Sequence, residues 1–343
     1  MNKIGIVSPS EIAYRRFLPA LQKNDGFHFA GVAIATKQEW YGACHTEIAD
    51  DVWNKVREGE LTKAQSFVDN YGGLIFDGYA TLITSNQLDC IYTPLPPALH
   101  YRWAKLGLES GKHVFVEKPC TTSLADTKEL IALAGTNGLA LHENYMFVYH
   151  NQLQFITDYV RSGAIGDVRL YRISFGFPMR QLSDFRYNKA LGGGALLDCG
   201  GYTLRYASML LGSTVKIEYA KSNYTDQFQV DLYGSAALTN AEGHTVQVAF
   251  GMDNNYKCEL EVWGSNGCFY TNRILTAPDG FVPEAIVRRG NEEEKMQLPT
   301  DDTFGKSIEV FRDCILFEEK REAEYQAILR QATLVEEFKD KNL

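Results

Sequence analysis

Short apolar runs separated by stretches of helical spacing fill the first part of the chain. Residues 3–7, 27–35, 88–93 and 113–116 read as strands, and 14–21, 39–70, 98–110 and 124–135 read as helices around them. Pro94-Leu95-Pro96-Pro97 closes one strand, Gly111 stops a helix, and Ser123 stands where an N-cap is needed. A last run, Leu139-Ala140-Leu141, leads into His142-Glu143-Asn144-Tyr145. Strand and helix alternating from residue 1 to about 145 predict a doubly wound parallel sheet. The pattern then changes. After a helix near 151–162, residues 168–177 place Tyr171, Ile173, Phe175 and Phe177 on one face, and similar alternation returns at 215–220, 228–233, 244–250 and 257–263. Consecutive strands without helices between them predict an open, mostly antiparallel sheet with one covered face. Helical spacing resumes over 308–338, with Tyr325, Ile328, Leu329, Ala332 and Val335 on one side. The expected fold class is α/β with an added α+β domain: residues 1–122, then 123–343, the C-terminal helix packing back on the first domain.

Composition narrows the class. A length of 343 residues suits two domains, each able to bury a core. No apolar run approaches the roughly 18 residues of a membrane span. Met1 leads straight into a strand, so no signal peptide is expected. A net charge of −9 argues against a nucleic-acid partner, which needs a positive footprint. The seven cysteines (44, 90, 120, 199, 258, 268, 314) have neither CxxC nor metal-type spacing, which predicts reduced thiols in a cytoplasm and no metal site.

Three stretches carry candidate chemistry. Strand, turn and helix at the start form the opening of a dinucleotide-binding unit, whose helix N-terminus receives a pyrophosphate. In the fingerprint G-x-G-x-x-G/A, Ser8 and Ser10 take the two glycine positions and Ala13 the third. Serine permits close approach and can donate to a phosphate, but it lacks glycine's freedom at positive φ. Beyond the second strand, residues 34–38 contain no acid to hold a ribose 2′-hydroxyl. Lys37 offers a cation to a 2′-phosphate there, which favours NADP(H) over NAD(H); the alternative is a solvated loop lysine. The second stretch is Val114-Phe115-Val116-Glu117-Lys118-Pro119, where an apolar run ends in a Glu-Lys pair and Pro119 forbids ordinary pairing. Ligands sit at the carboxyl ends of parallel strands, so a lysine there can meet cofactor and substrate together; the plainer reading is a solvated ion pair. The third is Gly192-Gly193-Gly194 through Asp198 to Tyr202. Its glycines allow close approach to a flat ligand. A helix starting after them puts Asp198 and Tyr202 on one face, as an acid and its orienting partner or as a helix-stabilising acid and a packing residue.

Together these residues resemble the Gfo/Idh/MocA oxidoreductases over nearly the whole chain. The resemblance rests on Ile4-Gly5-Ile6-Val7 with Ile12-Ala13, Glu117-Lys118-Pro119, Gly166-Asp167-Val168, and Gly192-Gly193-Gly194 through Asp198-x-Gly200-x-Tyr202. It implies an N-terminal Rossmann domain and a C-terminal α/β domain whose open sheet often serves oligomerisation, hence a homodimer or homotetramer. It places Ser8, Ser10, Glu11, Ile12, Thr36, Lys37, Pro94, Leu95, His100, Glu117 and Lys118 on the cofactor, although Pro97 replaces His100's usual asparagine companion. Lys118, Asp198 and Tyr202 become the catalytic set, with Tyr145 and Arg186 beside the substrate. Residues 11–20, 94–100, 143–147 and 184–187 look closest to the nucleotide-sugar 3-ketoreductases of deoxysugar pathways.

The chemistry then implied is hydride addition to a sugar ketone, the resulting alkoxide taking its proton from Tyr202. A nearby lysine cation favours the phenolate and stabilises charge at the reacting oxygen. Arg180, Arg186 and Arg205 are the cations a pyrophosphate-bearing substrate could use, or plain surface residues. Two rivals stay open: a free-sugar (aldose, polyol or diol) dehydrogenase, and a non-catalytic dinucleotide-binding regulatory protein.

Overall fold

Strands buried on both faces need helices above and below them, and the first half of the chain supplies both. The computed structural model describes residues 1–42 and 48–342. Six parallel strands, β1 (Asn2–Val7), β2 (Phe27–Ile34), β3 (Leu74–Asp77), β4 (Cys90–Thr93), β5 (His113–Glu117) and β6 (Leu141–Asn144), lie in the order β3-β2-β1-β4-β5-β6. The order reverses between β1 and β4, the switch point at which open α/β sheets bind ligands. Leu74-Ile75-Phe76-Asp77, the short edge strand, carries too little alternation to be legible in the sequence. The helix expected across 39–70 is Lys37–Gly42 followed by Asp50–Tyr71; residues 43–47, Cys44 included, lie outside the described residues. Local signals set the other boundaries. Pro97 opens Pro97–Glu109, and Ser123 caps Leu124–Asn137 by accepting the Asp126 N–H at 3.1 Å.

The chain divides into two units, 1–144 with 190–192 and 304–332, and 145–189 with 193–303 and 333–343. The boundary expected at 122 therefore falls inside the first unit. Helix Leu124–Asn137 and β6 complete the parallel sheet, because β6 pairs with β5 from Leu141 to Asn144. The helical end is two helices, Thr303–Leu316 and Glu318–Lys341, and the second contributes to both units. In the first unit Tyr325 donates to the Leu139 carbonyl and packs, with Ile328, into the core.

The second unit holds an eight-stranded sheet, β14-β13-β12-β11-β7-β10-β9-β8. Its strands are β7 (Val168–Gly176), β8 (Lys216–Asn223), β9 (Tyr233–Thr239), β10 (Thr245–Gly251), β11 (Lys257–Gly264), β12 (Cys268–Asn272), β13 (Glu284–Arg289) and β14 (Glu292–Gln297). Only the β7–β10 pairing is parallel. One face is covered: Ile173, Phe175, Val246, Val248, Leu260 and Val262 share a core with Leu204, Tyr206, Ala207 and Leu211 of helix Gly201–Leu211. The strand expected at 228–233 is displaced, β9 beginning only at Tyr233. Phe228-Gln229-Val230-Asp231-Leu232 alternates like a strand because Val230 and Leu232 are buried, yet its main chain bonds to a helix start and to Asn223 and Met252. Among the described residues no helix is long and apolar enough to cross a membrane. Five of the six described cysteines are buried, Cys268 is half-exposed, and none of the six is in a disulfide.

Candidate active site

At the end of β1 the chain turns through Ser8 at φ 101°, a conformation that suits glycine far better than serine. The Ser8 carbonyl accepts the Ser10 N–H at 2.9 Å, and Ser10 Oγ accepts the Ala13 N–H at 3.3 Å. Residues 13–17 then form a wide, π-type turn that runs into Leu18–Leu21. The main-chain N–H groups of Glu11 and Ile12 open this helical segment and so have no acceptor within it. That is the arrangement a pyrophosphate needs. The Glu11 carboxylate is turned to Arg15 at 2.6 Å in an exposed pair.

The end of β2 answers the question of an acid near the ribose. Glu39 stands just beyond the window that lacks one, and its carboxylate is fully engaged. One oxygen accepts the N–H groups of Thr36 (2.8 Å) and Tyr79 (3.0 Å), and the other accepts Ala80 N–H at 2.8 Å. It caps the helix Tyr79–Ile83 instead of facing a ribose diol. Lys37 is partly exposed and pairs with Asp50. These residues fit a dinucleotide, with the Glu39 carboxylate engaged by the main chain and Lys37 beside Asp50.

Lys118 and Pro119 follow β5 directly, joined by a cis peptide bond. Glu117 points its carboxylate into the protein, where one oxygen accepts Tyr92 Oη and Asn144 Nδ2, each at 2.7 Å. Burial raises the affinity of this carboxyl for its proton above the usual range, opposed by Tyr92, Asn144 and the Lys118 charge. His100 is wholly buried. Its Nδ1 lies 2.7 Å from the Pro119 carbonyl and its Nε2 2.7 Å from that of Leu95. Burial lowers its pKa to about 4, against the pull of those two carbonyls, with the Lys118 charge adding to the lowering. The ring thus braces the Pro94-Leu95 turn against the Lys118-Pro119 corner.

In the second unit the glycine stretch works differently from expectation. A side chain on Gly193 would come within 2.3 Å of the Arg186 carbonyl, and one on Gly194 (φ 123°) within 2.4 Å of Asp231 Oδ1. Close approach at these two positions serves the protein's own packing, not a flat ligand. Asp231, which sequence reasoning missed, fastens the start of the helix bearing Asp198 and Tyr202. Its carboxylate accepts Leu196 N–H at 2.7 Å and its carbonyl accepts Ala195 N–H at 2.8 Å. Burial raises this carboxyl, with the Leu196 N–H foremost among the bonds that oppose it.

Asp198 lies in a second π-type turn, Leu196–Gly200, that leads into helix Gly201–Leu211 with Tyr202 near its start. The structure joins Arg186 to Asp198 (Nε to Oδ2, 2.6 Å) and to Asp184 (3.2 Å), and all three side chains are largely buried. Burial disfavours the Arg186 charge, but Asp198 and then Asp184 outweigh it and hold the guanidinium pKa above its ordinary value. Tyr202 is buried among Tyr145, Phe175 and Phe147, with ring centroids 5.2, 5.3 and 5.6 Å away. Of the other arginines, Arg180 stands over the Phe177 ring at 5.2 Å, and Arg205 is half-buried on the Tyr202 helix.

Comparison with known proteins agrees with both halves. Residues 15–145 match a family described as oxidoreductase, NAD-binding Rossmann fold, and residues 153–270 match the GFO/IDH/MocA C-terminal domain. A dTDP-3,4-didehydro-2,6-dideoxy-alpha-D-glucose 3-reductase from Actinomadura kijaniata is 34% identical over 334 residues, 97% of this chain and 93% of that one. D-xylose 1-dehydrogenase (NADP(+)) 2 from Haloferax volcanii is 27% identical, over 90% of this chain and 87% of the other. The crystal structure of KijD10, a 3-ketoreductase from Actinomadura kijaniata in complex with NADP and TDP-benzene, superposes with a TM-score of 0.88 at 32% identity, covering 99% and 98% of the two chains. With a parallel sheet built for a dinucleotide and a second domain of matching type, the chain belongs to the GFO/IDH/MocA family of nicotinamide-dependent oxidoreductases.

Proposed function

We propose that this oxidoreductase reduces a keto group on a nucleotide-linked deoxysugar with NADPH. The observation that carries the reading is near full-length similarity, in sequence and in structure, to sugar 3-ketoreductases, one of them solved with NADP and a TDP ligand. NADPH, when bound, supplies the hydride. Ser8, Ser10 and the N–H groups of Glu11 and Ile12 hold the pyrophosphate; Thr36 and Lys37 receive the 2′-phosphate, supported by the engagement of Glu39 elsewhere. Pro94 and Leu95 flank the nicotinamide, steadied by His100, while Glu117 fixes the strand end from which Lys118 orients the substrate carbonyl. Tyr202 gives its phenolic proton to the developing alkoxide, because a phenol near pKa ~10 is a poor donor to a ketone and an adequate one to an alkoxide. Asp198 and Tyr145 line the sugar side. Arg186, tied to two carboxylates, orders Asp198 more than it offers a spare cation to a pyrophosphate. The same reading carries assembly as a homodimer or homotetramer and a cytoplasmic location.

Calorimetric titration with NADPH and NADH, alone and with a dTDP-sugar, tests it. Tighter NADPH binding, strengthened by the nucleotide sugar, is expected, and Lys118→Ala should then lower kcat by about 10²-fold or more with the fold intact. Similarity to the xylose dehydrogenase favours a free-sugar enzyme as second reading. Cofactor binding indifferent to every nucleotide sugar would select it, and binding without turnover of either substrate class would select a regulatory protein.

A further inference from the structure

Behind Glu117 a line of buried polar groups crosses the first unit. Asn144 Nδ2 donates to Glu117, Asn144 Oδ1 accepts the Ser307 hydroxyl at 2.9 Å, and Ser307 Oγ lies 2.9 Å from His142 Nε2. The other ring nitrogen of His142 stands 3.0 Å from a Glu324 oxygen. His142, Asn144 and Ser307 are wholly buried, and Glu324 is buried at the far end. His142 and Asn144 come from β6, the strand paired with β5, and Ser307 and Glu324 from the two C-terminal helices, far from Lys118 in sequence.

The donors and acceptors fix where the protons are. Asn144 turns its amide N–H to a carboxylate, so its oxygen takes the Ser307 proton. The serine oxygen then has only a lone pair left for His142, and Nε2 must carry hydrogen. Asn144 meanwhile presents its N–H to Glu117, which serves as the acceptor. Glu117 in turn takes the main-chain N–H of Lys118 and faces its charge.

We propose that Ser307 and His142 are positioning residues for Lys118. They hold the Asn144 amide with its N–H toward Glu117, so that Glu117 accepts there, stays ionised and holds the lysine's main chain and charge. Tyr92 and Lys118 face Glu117; the Phe115 and Phe311 rings flank His142; and Cys120, Cys314 and the Glu143 N–H face Glu324. Glu143 is held apart by accepting Cys120 N–H at 2.7 Å. Burial raises the Glu117 carboxyl, so an Asn144 amide no longer fixed by Ser307 leaves this group ready to take a proton and neutralise itself beside Lys118.

Ser307→Ala breaks the line without touching the strand end. ¹⁵N-histidine NMR of the full chain should show Nε2 of His142 protonated in the wild type, unprotonated in Ser307→Ala, and protonated again in Ser307→Thr, which restores the hydroxyl. The Lys118 Nζ resonance, assigned through Lys118→Arg, should move in Ser307→Ala and return in Ser307→Thr. The positioning role rests on the proposed reductase activity for one further readout. In NADPH-dependent turnover of the keto-sugar, Ser307→Ala should bring the alkaline limb of the kcat profile down by about one pH unit, with KM for NADPH held within about twofold. An unprotonated Nε2 in the wild type, or a Lys118 resonance indifferent to Ser307→Ala, overturns the inference. Wild-type protein that turns over no keto-sugar sinks the reductase reading alone, because the two resonance measurements still decide whether Ser307 positions the lysine.

Discussion

Mild acid should unfold the first unit early, and two histidines set the size of the effect. His100 is enclosed between the Leu95 and Pro119 carbonyls, and His113 is half-buried with its Nδ1 accepting Ala140 N–H at 2.9 Å. Burial foremost lowers both to a pKa of about 4, helped at His113 by the Arg321 charge and at His100 by Lys118. Each is neutral in the fold and takes a proton near pH ~6.5 once unfolded. Their contribution is complete above about pH 6.5 and is lost as pH falls toward 4. At pH 5 the unfolded chain is favoured by about 2 kcal/mol per histidine, or about 4 kcal/mol for the two, from the binding polynomial with those pKa values. Glu117 and Asp231 act in the opposite sense, since burial raises both carboxyls and protonation then favours the fold. The measurement is therefore a difference: urea unfolding followed by tryptophan fluorescence at pH 7.5 and 5, for wild type and for His100→Gln with His113→Gln. Trp40, Trp53 and Trp103 lie in the first unit, so the signal reports mainly on it. Wild type should lose about 4 kcal/mol more than the double variant between the two pH values. A difference under about 1 kcal/mol would refute the reasoning, because burial of two neutral rings would then not be coupled to protonation.

Three substitutions probe the site in other ways. Asp231→Ala removes the carboxylate that fastens the start of the Asp198 helix and should cost about 1–2 kcal/mol in thermal or urea unfolding, with a larger proportional loss of kcat than of cofactor affinity. Arg186→Met leaves Asp198 buried without its cation and should destabilise the second unit by about 3 kcal/mol, most of it recovered in Arg186→Met with Asp198→Asn. Lys37→Ala should reduce the preference for NADPH over NADH by about tenfold, read as the ratio of the two dissociation constants, with NADH affinity nearly unchanged.

Periodicity was enough to separate a parallel sheet from a mostly antiparallel one, because burial on two faces and on one leave different marks in a sequence. Whereas the turn over Asp198 is π-type and leaves Asp198 on Arg186 and Tyr202 among aromatic rings, the strand end at Glu117-Lys118-Pro119 was legible for a related reason, being local. Long-range pairing was not. The engagement of Glu39 by three N–H groups, the clamp of Asp231 on Leu196, and the pairing of Arg186 with Asp198 depend on which loops meet, and single residues carry no periodic signal of that. Leu232 and Val230 misled the strand reading because a buried loop alternates as a strand does, and only the hydrogen-bond partners of the main chain tell the two apart. Hydrophobic spacing, then, determined the layers and the strand ends. Tertiary structure decided which charges are spent on the protein itself, since a carboxylate's role follows from the donors brought to it across the fold.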